Sequence, residues 1–559
     1  MKTFSLIFAA ISVSILTAAE PLMRVAVISD THVTPKPESA FLVREAYKLF
    51  RQLKVDAVIN CGDIADHYYV EGYKHYRNAA AEAYQNEKLP LEFFAYANHD
   101  LIGRRGETQD AIFGDVRKHL RIFHAPESIT KFRGYNFITV RQSVSEEVFE
   151  KLIVRAIKDT PDKPVFLIDH IPARNTVYDS DTWGSGARRK ILDKYPQIVQ
   201  FSGHVHGTLA NELNIWQGGF TAVNVGGLAY WHAVLLGNIV RTRHSDMALI
   251  VDVYKDKLVL RRFFAKSKRE YQPDTPWIVQ LPYKPEQAVY TPEKRYAAST
   301  APEFAPDTKV SAAVRHDGVT ITFPPARHKD GVFYYKMELF RMENNKWVRF
   351  SRRDVMGDFD LDPRPEKVEE FLGIGYFDSN SKYKVKITPF HAFGKSGKPV
   401  SGEFSVGKTE PASTVVFESR DPMKDCPFLQ KLDGNIPVKL DANGYYDVTG
   451  TSRLIFPDAI WDGPTYTQFR VTIEMHAKQG PLRWTLTMRN PKPRISNGNN
   501  RFYTEPGDNG TQRYVIDMYK SSPAYKYYLL IREGSPGKVR FSYIKIERLN
   551  EKFSRRRKR

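Results

Sequence analysis

Five short polar clusters, each placed directly after an apolar run, carry the side chains of this chain that are best suited to chemistry. They are Asp30-Thr31-His32, Gly62-Asp63-Ile64-Ala65-Asp66, Ala97-Asn98-His99-Asp100, Asp169-His170 and Gly203-His204-Val205-His206. Together they supply carboxylate, imidazole and amide groups in the numbers that two adjacent divalent cations require. This mixture suits Mn, Fe, Zn, Ni or Co and needs no thiolate. We therefore expect two divalent metal ions in the N-terminal half of the chain.

The order and context of the clusters carry more information than any one of them. A lone Asp-x-His or His-x-His arises easily by chance in a chain with 15 histidines. Here, however, each cluster follows a predicted apolar strand, and the strands cover residues 24–29, 55–60, 91–95, 164–168 and 198–202. Ligands of open α/β sheets collect outside the carboxyl ends of the strands. Each cluster is therefore expected at the C-terminal edge of its strand, where ligands collect.

Amphipathic segments between these strands complete an α/β pattern. Residues 41–53 carry apolar side chains at helical spacing, which predicts a helix that packs on the sheet. Ser143 followed by Glu146 predicts a capping box for a helix that runs through Ala156. The near-continuous apolar strands fit sheets that are covered on both faces. The fold class expected for this region is therefore α/β.

The five clusters resemble the motifs of the calcineurin-like metallophosphoesterase superfamily, namely D-x-H, G-D-x-x-D/N, G-N-H-D/E, H and G-H-x-H. The resemblance covers residues 20 to 283, looks like the secreted bacterial type, and implies a β-sandwich flanked by helices in four layers. One departure is Ala97, which stands where the superfamily normally has glycine. His32 and Asp66 distinguish the chain from purple acid phosphatases, which have glycine and tyrosine at these places.

The resemblance also implies a role for each polar side chain. The implied metal ligands are Asp30, His32 and His206 for one ion, Asn98, His170 and His204 for the other, and Asp63 as the bridge. A carboxylate between two cations about 3.5–4 Å apart reduces their mutual repulsion. The nucleophile would be a metal-bound hydroxide, because coordination lowers the pKa of water from 15.7 towards about 7.

Further residues are candidates for acid catalysis and substrate binding. His99 is expected to contact the phosphate and protonate the leaving alkoxide, with Asp100 fixing its orientation. Arg104, Arg174 and Tyr178 lie between the clusters and are candidates for binding substrate. Arginine pairs with phosphate, and an aromatic ring stacks on a base or sugar. Each of these three side chains also has an ordinary interpretation as a solvated or packing residue.

The N-terminal sequence predicts the cellular location of the protein. Lys2, an apolar stretch over residues 4–16 and small residues before Glu20 predict a signal peptide at 1–19, with an uncleaved anchor as the alternative. No later segment has eighteen consecutive apolar residues, so no transmembrane segment is expected after the signal peptide. The expected location is secreted, periplasmic or cell-surface. Cys61 and Cys426 provide no disulfide framework.

Composition divides the remaining chain into further regions. After the catalytic domain at 20–284, prolines mark a linker or extended strap at 285–308. Period-two strands over 309–410 predict a fibronectin type III-like β-sandwich. Residues 411–549 predict a second, jelly-roll-like sandwich, in which Trp461 and Tyr445 either stack on carbohydrate or belong to the core. Residues 550–559 form a basic tail.

Net charge leaves several partners open. The chain carries a formal charge of +19, which attracts anions such as phosphorylated substrates, acidic glycans or nucleic acid without choosing among them. The favoured hypothesis is a secreted phosphodiesterase that acts on a phosphate ester. A phosphomonoesterase acting on nucleotides or sugar phosphates is the alternative within enzymes. A glycan-binding protein with an inactive phosphoesterase domain, expected to lack a ligand, and a nuclease, expected to bind with steep salt dependence, are further alternatives.

Overall fold

The structure is a computed structural model of the chain. It describes residues 20–67, 70–101, 108–235, 238–315, 318–407, 413–425, 428–431, 434–437, 439–448, 452–455, 468–478, 483–489, 501–503, 512–519, 526–532 and 537–549. The predicted signal peptide, the basic tail, Arg104 and Trp461 lie outside these residues.

Strands and helices alternate along residues 20–284, as predicted. The strands are β1 (Met23–Ile28), β2 (Ala57–Asn60), β3 (Leu91–Phe94), β4 (Ser128–Phe132), β5 (Tyr135–Thr139), β6 (Val165–Ile168), β7 (Ile198–Ser202), β8 (Ile215–Gln217), β9 (Thr221–Asn224), β10 (Tyr230–Leu235), β11 (Asn238–His244), β12 (Met247–Val253), β13 (Lys257–Phe264), β14 (Glu270–Tyr271) and β15 (Trp277–Gln280). The helices are α1 (Phe41–Gln52), α2 (Val70–Ala83), α3 (Asn98–Leu101), α4 (Gln109–Leu120), α5 (Glu146–Asp159), α6 (Ser180–Trp183) and α7 (Gly186–Leu192).

Two sheets pack face to face, and helices cover both outer surfaces. One sheet has the order β14-β13-β12-β1-β2-β3, with β15 beside β13, and the other has the order β4-β5-β6-β7-β9-β8. Between the sheets, the stacked rings of Phe93 and Phe137 lie 4.5 Å apart within one buried apolar cluster. Helices α1, α2 and α4 bury apolar side chains on one sheet, and α5 and α7 do so on the other. The region is therefore a four-layer α/β fold.

Parallel pairing brings the polar clusters to common sheet edges. Strands β1, β2 and β3 pair in parallel, as do β5, β6, β7 and β9. The five predicted strands are all present, and the polar clusters follow the carboxyl ends of β1, β2, β3, β6 and β7. The predicted placement of the clusters is therefore confirmed.

The start of α5 differs from the prediction. Ser145 caps the helix, because its Oγ accepts the backbone N–H of Val148 at 3.3 Å. Ser143 instead donates its hydroxyl to Gln109 Oε1. The predicted capping box was wrong because the side chain of Ser143 is engaged outside its own helix.

The segment after residue 284 runs along the first domain. Helix α8 (Pro292–Ala298) places Arg295 in an ion pair with the buried Glu212. The side chain of Gln217 accepts the backbone N–H groups of Val289 at 3.0 Å and Tyr290 at 3.4 Å. These contacts make the 285–308 segment a strap that lies against the first domain.

An antiparallel sandwich follows the strap. Its strands are β16 (Ser311–Arg315), β17 (Gly318–Phe323), β18 (Tyr334–Glu343), β19 (Lys346–Met356), β20 (Val368–Gly373), β21 (Ser381–Phe390) and β22 (Val400–Val406). They form sheets of order β16-β17-β20 and β19-β18-β21-β22 around one apolar core. Asn344 and Asn345, which the sequence places at a turn, join β18 and β19 with φ of 48° and 60°. The assignment to fibronectin type III remains a prediction.

The C-terminal region is also antiparallel. Its elements are β23 (Ser413–Ser419), α9 (Pro422–Asp425), β24 (Phe428–Lys431), β25 (Gly434–Pro437), β26 (Tyr446–Val448), β27 (Ser452–Ile455), β28 (Gln468–Lys478), β29 (Arg483–Arg489), β30 (Arg501–Tyr503), β31 (Gln512–Tyr519), β32 (Lys526–Arg532) and β33 (Gly537–Leu549). Two sheets have the orders β23-β33-β28-β31 and β25-β24-β27-β32-β29-β30. Tyr445 is buried, with the guanidinium of Arg540 5.3 Å from its ring centre. The jelly-roll and carbohydrate-binding assignments remain predictions.

The first sandwich packs directly on the first domain. Trp231 of β10 donates its indole N–H to Asp360 Oδ2 at 2.7 Å, in a buried contact. Phe333 and Phe359 join the apolar cluster that lies between the two sheets of the first domain. None of the helices in the described ranges has the length and apolar character needed to cross a bilayer.

Candidate metal centre

One group of polar side chains gathers where the loops after β1, β2 and β7 meet. Asp30, His32, Asp63 and His206 are buried and offer ligand atoms that lie within 4.8 Å of one another. His206 Nε2 lies 3.1 Å from Asp30 Oδ1 and 3.2 Å from His32 Nε2. Metal–ligand bonds of about 2.0–2.2 Å place neighbouring donors about 3 Å apart. One divalent cation therefore fits this group.

A second group lies on the other side of Asp63. His170 Nε2 is 3.3 Å from Asp63 Oδ2 and 3.2 Å from His204 Nδ1. Asn98 begins α3, and within the described ranges its buried Oδ1 has no hydrogen-bond partner. A buried amide oxygen without a partner is costly unless something coordinates it. These donors fit a second cation, with Asp63 between the two groups.

Backbone carbonyls set the tautomers of two imidazoles at this centre. His170 donates its Nδ1–H to the carbonyl of Cys61 at 2.8 Å, and His206 donates its Nδ1–H to the carbonyl of Tyr230 at 3.3 Å. Because a carbonyl can only accept, the Nε2 lone pair of each ring is left for the centre. Burial raises the pKa of the Cys61 thiol well above its usual value, so this residue contributes a carbonyl and packing.

The loops that carry these side chains adopt a rare backbone conformation. Asp30, His32, Asp63, His204 and His206 have φ values of 49°, 41°, 50°, 70° and 48°. Left-handed backbone costs a non-glycine residue on the order of 1–3 kcal/mol and persists only where the surroundings enforce it. Such concentrations of strain are typical of functional sites.

Two glycines give the loops room to approach one another. A Cβ on Gly203 would lie 2.3 Å from Asp30 Oδ2, so a side chain there would displace that carboxylate. A Cβ on Gly62, whose φ is +100°, would lie 2.8 Å from the Ala97 Cβ. Because residue 62 has no side chain, Ala97 fits at the place where glycine is usual.

The imidazoles keep the two central carboxyl groups ionised. Burial raises the pKa of Asp30 and of Asp63, but His206 and His170 respectively outweigh it, and both pKa values lie below normal. Burial lowers the pKa of His170, yet Asp63 outweighs it and raises that pKa to about 10. Burial lowers the pKa of His204 to about 4. A cation that replaced the proton of His170 would satisfy the same carboxylate.

His99 lies beside the centre, and Asp66 is its partner. Its backbone N–H donates to Asp63 Oδ1 at 3.0 Å, and its Nδ1–H donates to Asp66 Oδ1 at 3.1 Å. The imidazole of His32, followed by those of His67 and His99, lowers the pKa of Asp66 to about 2. An ionised Asp66 therefore holds the Nδ1–H tautomer of His99 and leaves Nε2 available for a substrate.

Asp100 does not orient His99, which corrects the role expected from the sequence. Its buried carboxylate accepts the N–H groups of Ile64 at 3.1 Å, Ala65 at 3.3 Å and Ala97 at 3.2 Å. It also accepts the hydroxyl of Tyr73 at 3.1 Å. Asp100 therefore ties the loops after β2 and β3 together, because short loops leave backbone donors that a buried carboxylate can satisfy.

We expect Asp66→Asn to lower kcat by about 10–100-fold, because outer partners of site imidazoles contribute this much. The amide cannot select the Nδ1–H tautomer of His99 as a carboxylate does. Steady-state kinetics at saturating metal would test this, with metal content measured alongside because Asp66 Oδ1 also lies 3.7 Å from Nδ1 of the predicted ligand His32. Full recovery of activity in excess metal would contradict the assigned role.

A buried ion pair supports the loop that carries His170. Arg188 Nε donates to Asp169 Oδ2 at 2.9 Å, and both side chains are at most 6% exposed. The guanidinium carbon of Arg188 also lies 4.3 Å from the ring centre of Phe149. The sequence analysis grouped Asp169 with His170, and the structure places its carboxylate on Arg188.

We expect Arg188→Ala to lower the free energy of unfolding by about 3–5 kcal/mol, because it leaves Asp169 as a buried charge without its cation. Urea denaturation followed by far-ultraviolet circular dichroism would measure this. Lys151→Ala, which removes an exposed ion pair with Glu147, is the matched control and is expected to leave the transition unchanged. Equal effects of the two substitutions would contradict the prediction.

Arg174 and Tyr178, the residues predicted to bind substrate that lie in the described ranges, are not gathered at the centre. Arg174 lines a cavity of about 740 Å³ with Arg189, Trp216 and residues of the strap, and no predicted metal ligand lines that cavity. Tyr178 is buried, with its ring 5.9 Å from that of Phe333 in the first sandwich. Packing accounts for Tyr178, and the substrate-binding roles remain predictions without geometric support.

Two aromatic residues at the centre were not singled out as site residues. Tyr230 stacks on His206 with ring centres 4.4 Å apart, and it stacks on His32 at 5.1 Å. The ring of Trp183, which is 47% exposed, lies 6.1 Å from that of His204. The sequence carries one signal for the loop before Tyr230, because the polar Asn224 directly follows an apolar run, as the five clusters do. The side chain of Asn224 donates to the carbonyl of Gly203 at 2.6 Å.

Comparison with known proteins identifies the type of the first domain. Residues 23–208 match the model of the calcineurin-like phosphoesterase family, and this range contains every predicted metal ligand. A search of curated proteins finds no match.

Solved structures give weak likenesses. A purple acid phosphatase from yellow lupin is 15% identical with a TM-score of 0.32, over 46% of this chain and 53% of its own. A 5'-nucleotidase precursor from Thermus thermophilus is 13% identical with a TM-score of 0.27, over 48% and 55%. The sulfate thiohydrolase SoxB of Thermus thermophilus is 9% identical with a TM-score of 0.28, over 58% and 77%. The chain thus spans about half the length of the first two, and none of the three informs substrate or mechanism.

Proposed function

We propose that the calcineurin-like metallophosphoesterase domain at residues 23–208 makes this protein a metal-dependent phosphoric ester hydrolase, and within that class a phosphodiesterase. The observation that carries the proposal is the pair of donor groups that share Asp63. On one side Asp63 belongs to a buried carboxylate and imidazole cluster. On the other its Oδ2 lies 3.3 Å from His170 Nε2. This is the arrangement that two adjacent cations need.

The metals would be held by the residues of the two donor groups, with one cation taking the place of the proton on His170. Asp30, His32 and His206 would hold one ion, Asn98, His170 and His204 the other, and Asp63 both. When bound, a pair of divalent cations lowers the pKa of water and neutralises charge on the phosphoryl oxygens. Carboxylate and imidazole donors suit Mn, Fe, Zn, Ni and Co alike. Restoring each metal in turn after chelation would identify which of them supports activity.

His99 is proposed as the general acid. Its Nδ1–H is held by Asp66, so the ring can present a proton on Nε2 to the oxygen of the leaving alcohol. The backbone N–H of the same residue holds Asp63, which links the position of the acid to that of the bridging carboxylate. These two hydrogen bonds fix the ring beside the reacting phosphate.

The proposed preference for a diester is based on the exposed aromatic ring of Trp183 beside the centre. A diester carries a second alcohol group that a phosphomonoester lacks. Trp183 offers a ring face that is half exposed and adjacent to His204. Such a face can stack on an aromatic or sugar-linked substituent.

We expect Trp183→Ala to raise KM for bis(p-nitrophenyl) phosphate by about tenfold, because stacking on an aromatic ring is worth about 1–3 kcal/mol. Trp183→Phe, which keeps a ring, is the matched variant and is expected to retain most of the affinity. Steady-state kinetics would show the difference. A change confined to kcat would contradict a binding role for Trp183.

Hydrolysis of chromogenic esters tests the proposed function. The purified full-length protein is treated with chelator and then assayed with Mn, Fe, Zn, Ni or Co on bis(p-nitrophenyl) phosphate and on p-nitrophenyl phosphate. Metal-dependent turnover with a higher kcat/KM for the diester supports the proposal. A higher kcat/KM for the monoester would favour a phosphomonoesterase, and no turnover with any metal would favour an inactive domain within a binding protein.

The cellular setting is also proposed. The predicted signal peptide at 1–19 supports a secreted, periplasmic or cell-surface enzyme. The basic composition and the two sandwiches support attachment to an acidic glycan or cell surface, with nucleic acid as the less favoured partner. Fractionation of cells that express the full-length chain would test the location.

A further inference from the structure

A second cluster of metal-binding side chains lies in the first sandwich, away from the centre described above. His328 and Asp330 occupy the loop between β17 and β18, and His391 directly follows β21. Their potential ligand atoms lie within 4.8 Å of one another. The rings of His328 and His391 have centres 4.2 Å apart, and His391 Nε2 lies 3.5 Å from Asp330 Oδ2.

His391 is the feature that needs an explanation. Its side chain is only 1% exposed, and within the described ranges Nδ1 has no partner, while the one polar contact of Nε2 is the 3.5 Å approach to Asp330 Oδ2, too long for a good hydrogen bond. Burying a polar group without a partner costs free energy, so native structures rarely leave one in this state. The ring faces two other potential ligands, which is the setting in which a cation would take its free lone pair.

The neighbouring contacts hold His328 and Asp330 in place for the same ion. Thr300 of the strap lies 3.2 Å from His328 Nε2, and a proton on that nitrogen would leave Nδ1 as the ligand atom. Nδ1 now accepts the N–H of Asp330 at 3.2 Å, and a cation bound at Nδ1 would replace this hydrogen bond. Asp330 pairs with the exposed Lys329, but a carboxylate has enough lone pairs to hold an ammonium group and a cation together.

We propose that His328, Asp330 and His391 form a zinc site that is separate from the catalytic centre. Two imidazoles and one carboxylate are a donor set that zinc binds with bonds of about 2.0–2.2 Å, and a water molecule completes the fourth position. The site joins three parts of the chain. Thr300 belongs to the strap, and Gln272 of the first domain donates to the carbonyl of Lys329 at 2.8 Å.

The zinc site is expected to stabilise the contact between the first sandwich and the catalytic region. Zinc would immobilise the loop between β17 and β18, which carries contacts to both the strap and the first domain. A ligand that binds only the folded form raises its stability. Removal of zinc is therefore expected to lower Tm of the full-length protein, and Asp330→Asn is expected to abolish this dependence.

Zinc binding by the full-length chain tests the proposal with Zn²⁺ alone as the probe. An Asp63→Ala/His206→Ala background disables the catalytic centre, and zinc is counted by elemental analysis after dialysis. We expect this background to bind one more zinc ion per chain than the same background carrying Asp330→Asn or His328→Gln. Each of these two substitutions should weaken zinc binding by at least about 100-fold. His75→Gln, at a half-buried histidine on α2, is the matched control and is expected to retain the zinc.

Spectroscopy supplies a second readout that is independent of activity. Zinc K-edge absorption of the same background should show two imidazole nitrogens and a carboxylate oxygen at about 2.0–2.2 Å. His328 and Asp330 lie on a loop, so their conservative variants are expected to keep the circular dichroism of the parent. The proposal is overturned if the background binds no zinc, or if Asp330→Asn and His328→Gln both leave zinc content unchanged.

Discussion

Asp63→Ala is expected to abolish metal-dependent turnover, lowering kcat/KM by at least about 10³-fold. Asp63 lies between the two donor groups, with Oδ2 3.3 Å from His170 Nε2 and 3.9 Å from His32 Nε2. Its loss leaves two cations without the carboxylate that separates their charges. If metal ions supply several kcal/mol of transition-state stabilisation, and each 1.36 kcal/mol is tenfold, losing about 4 kcal/mol accounts for the expected effect.

Metal content separates loss of the centre from loss of the fold. The Asp63→Ala variant is expected to bind at least one metal ion fewer at the centre than the parent does, and its circular dichroism spectrum is expected to be unchanged. Asp162→Ala, at an exposed position in the turn after α5, is the control and should behave as the parent does. Turnover of Asp63→Ala within tenfold of the parent would show that the reaction does not use this centre.

His99→Ala is expected to lower kcat by about 10²–10⁴-fold, the usual range for a general acid. The backbone N–H that holds Asp63 survives this substitution, so metal content is expected to stay the same. The effect should grow as the leaving group becomes more basic, because a p-nitrophenolate leaves with little protonation whereas an alkoxide needs a proton. Comparing aryl with alkyl diesters therefore tests the role of the proton itself.

A matched histidine distinguishes this role from a general effect of surface charge. His75→Ala removes a half-buried imidazole, away from the centre, whose Nε2 lies 3.1 Å from the carbonyl of Pro35. It is expected to leave kcat unchanged for both classes of diester. A uniform loss across leaving groups in His99→Ala would instead assign His99 to positioning of the phosphate.

The strands and the cluster positions were predictable because they depend on local pattern. An apolar run of four to six residues followed by Asp, His or Asn predicts a buried strand that ends at the polar residue, since a buried strand must end where polar side chains begin. The sequence alone therefore places each cluster at the end of a strand. The helix starting near residue 146 was also predictable, but its cap was not, because Ser143 and Ser145 offer the same hydroxyl.

Contacts between distant segments could not be read from pattern. Asp66 and Asp100 are both aspartates within motifs, and only the meeting of the loops after β2 and β3 shows which one holds His99 and which holds backbone N–H groups. Trp183 and Tyr178 have similar sequence settings, yet one faces His204 and the other Phe333.

The sequence by itself determined the α/β class of the first domain, the positions of five of its strands and the donor types available for metals, because period and residue type are local properties. Only the tertiary structure decided which donors share a cation, which carbonyls select the tautomers of His170 and His206, and that His391 meets Asp330 across 61 residues of chain. The physical reason is that ligand geometry depends on separations of a few ångströms between segments far apart in sequence, and packing of the sheets and loops sets those separations.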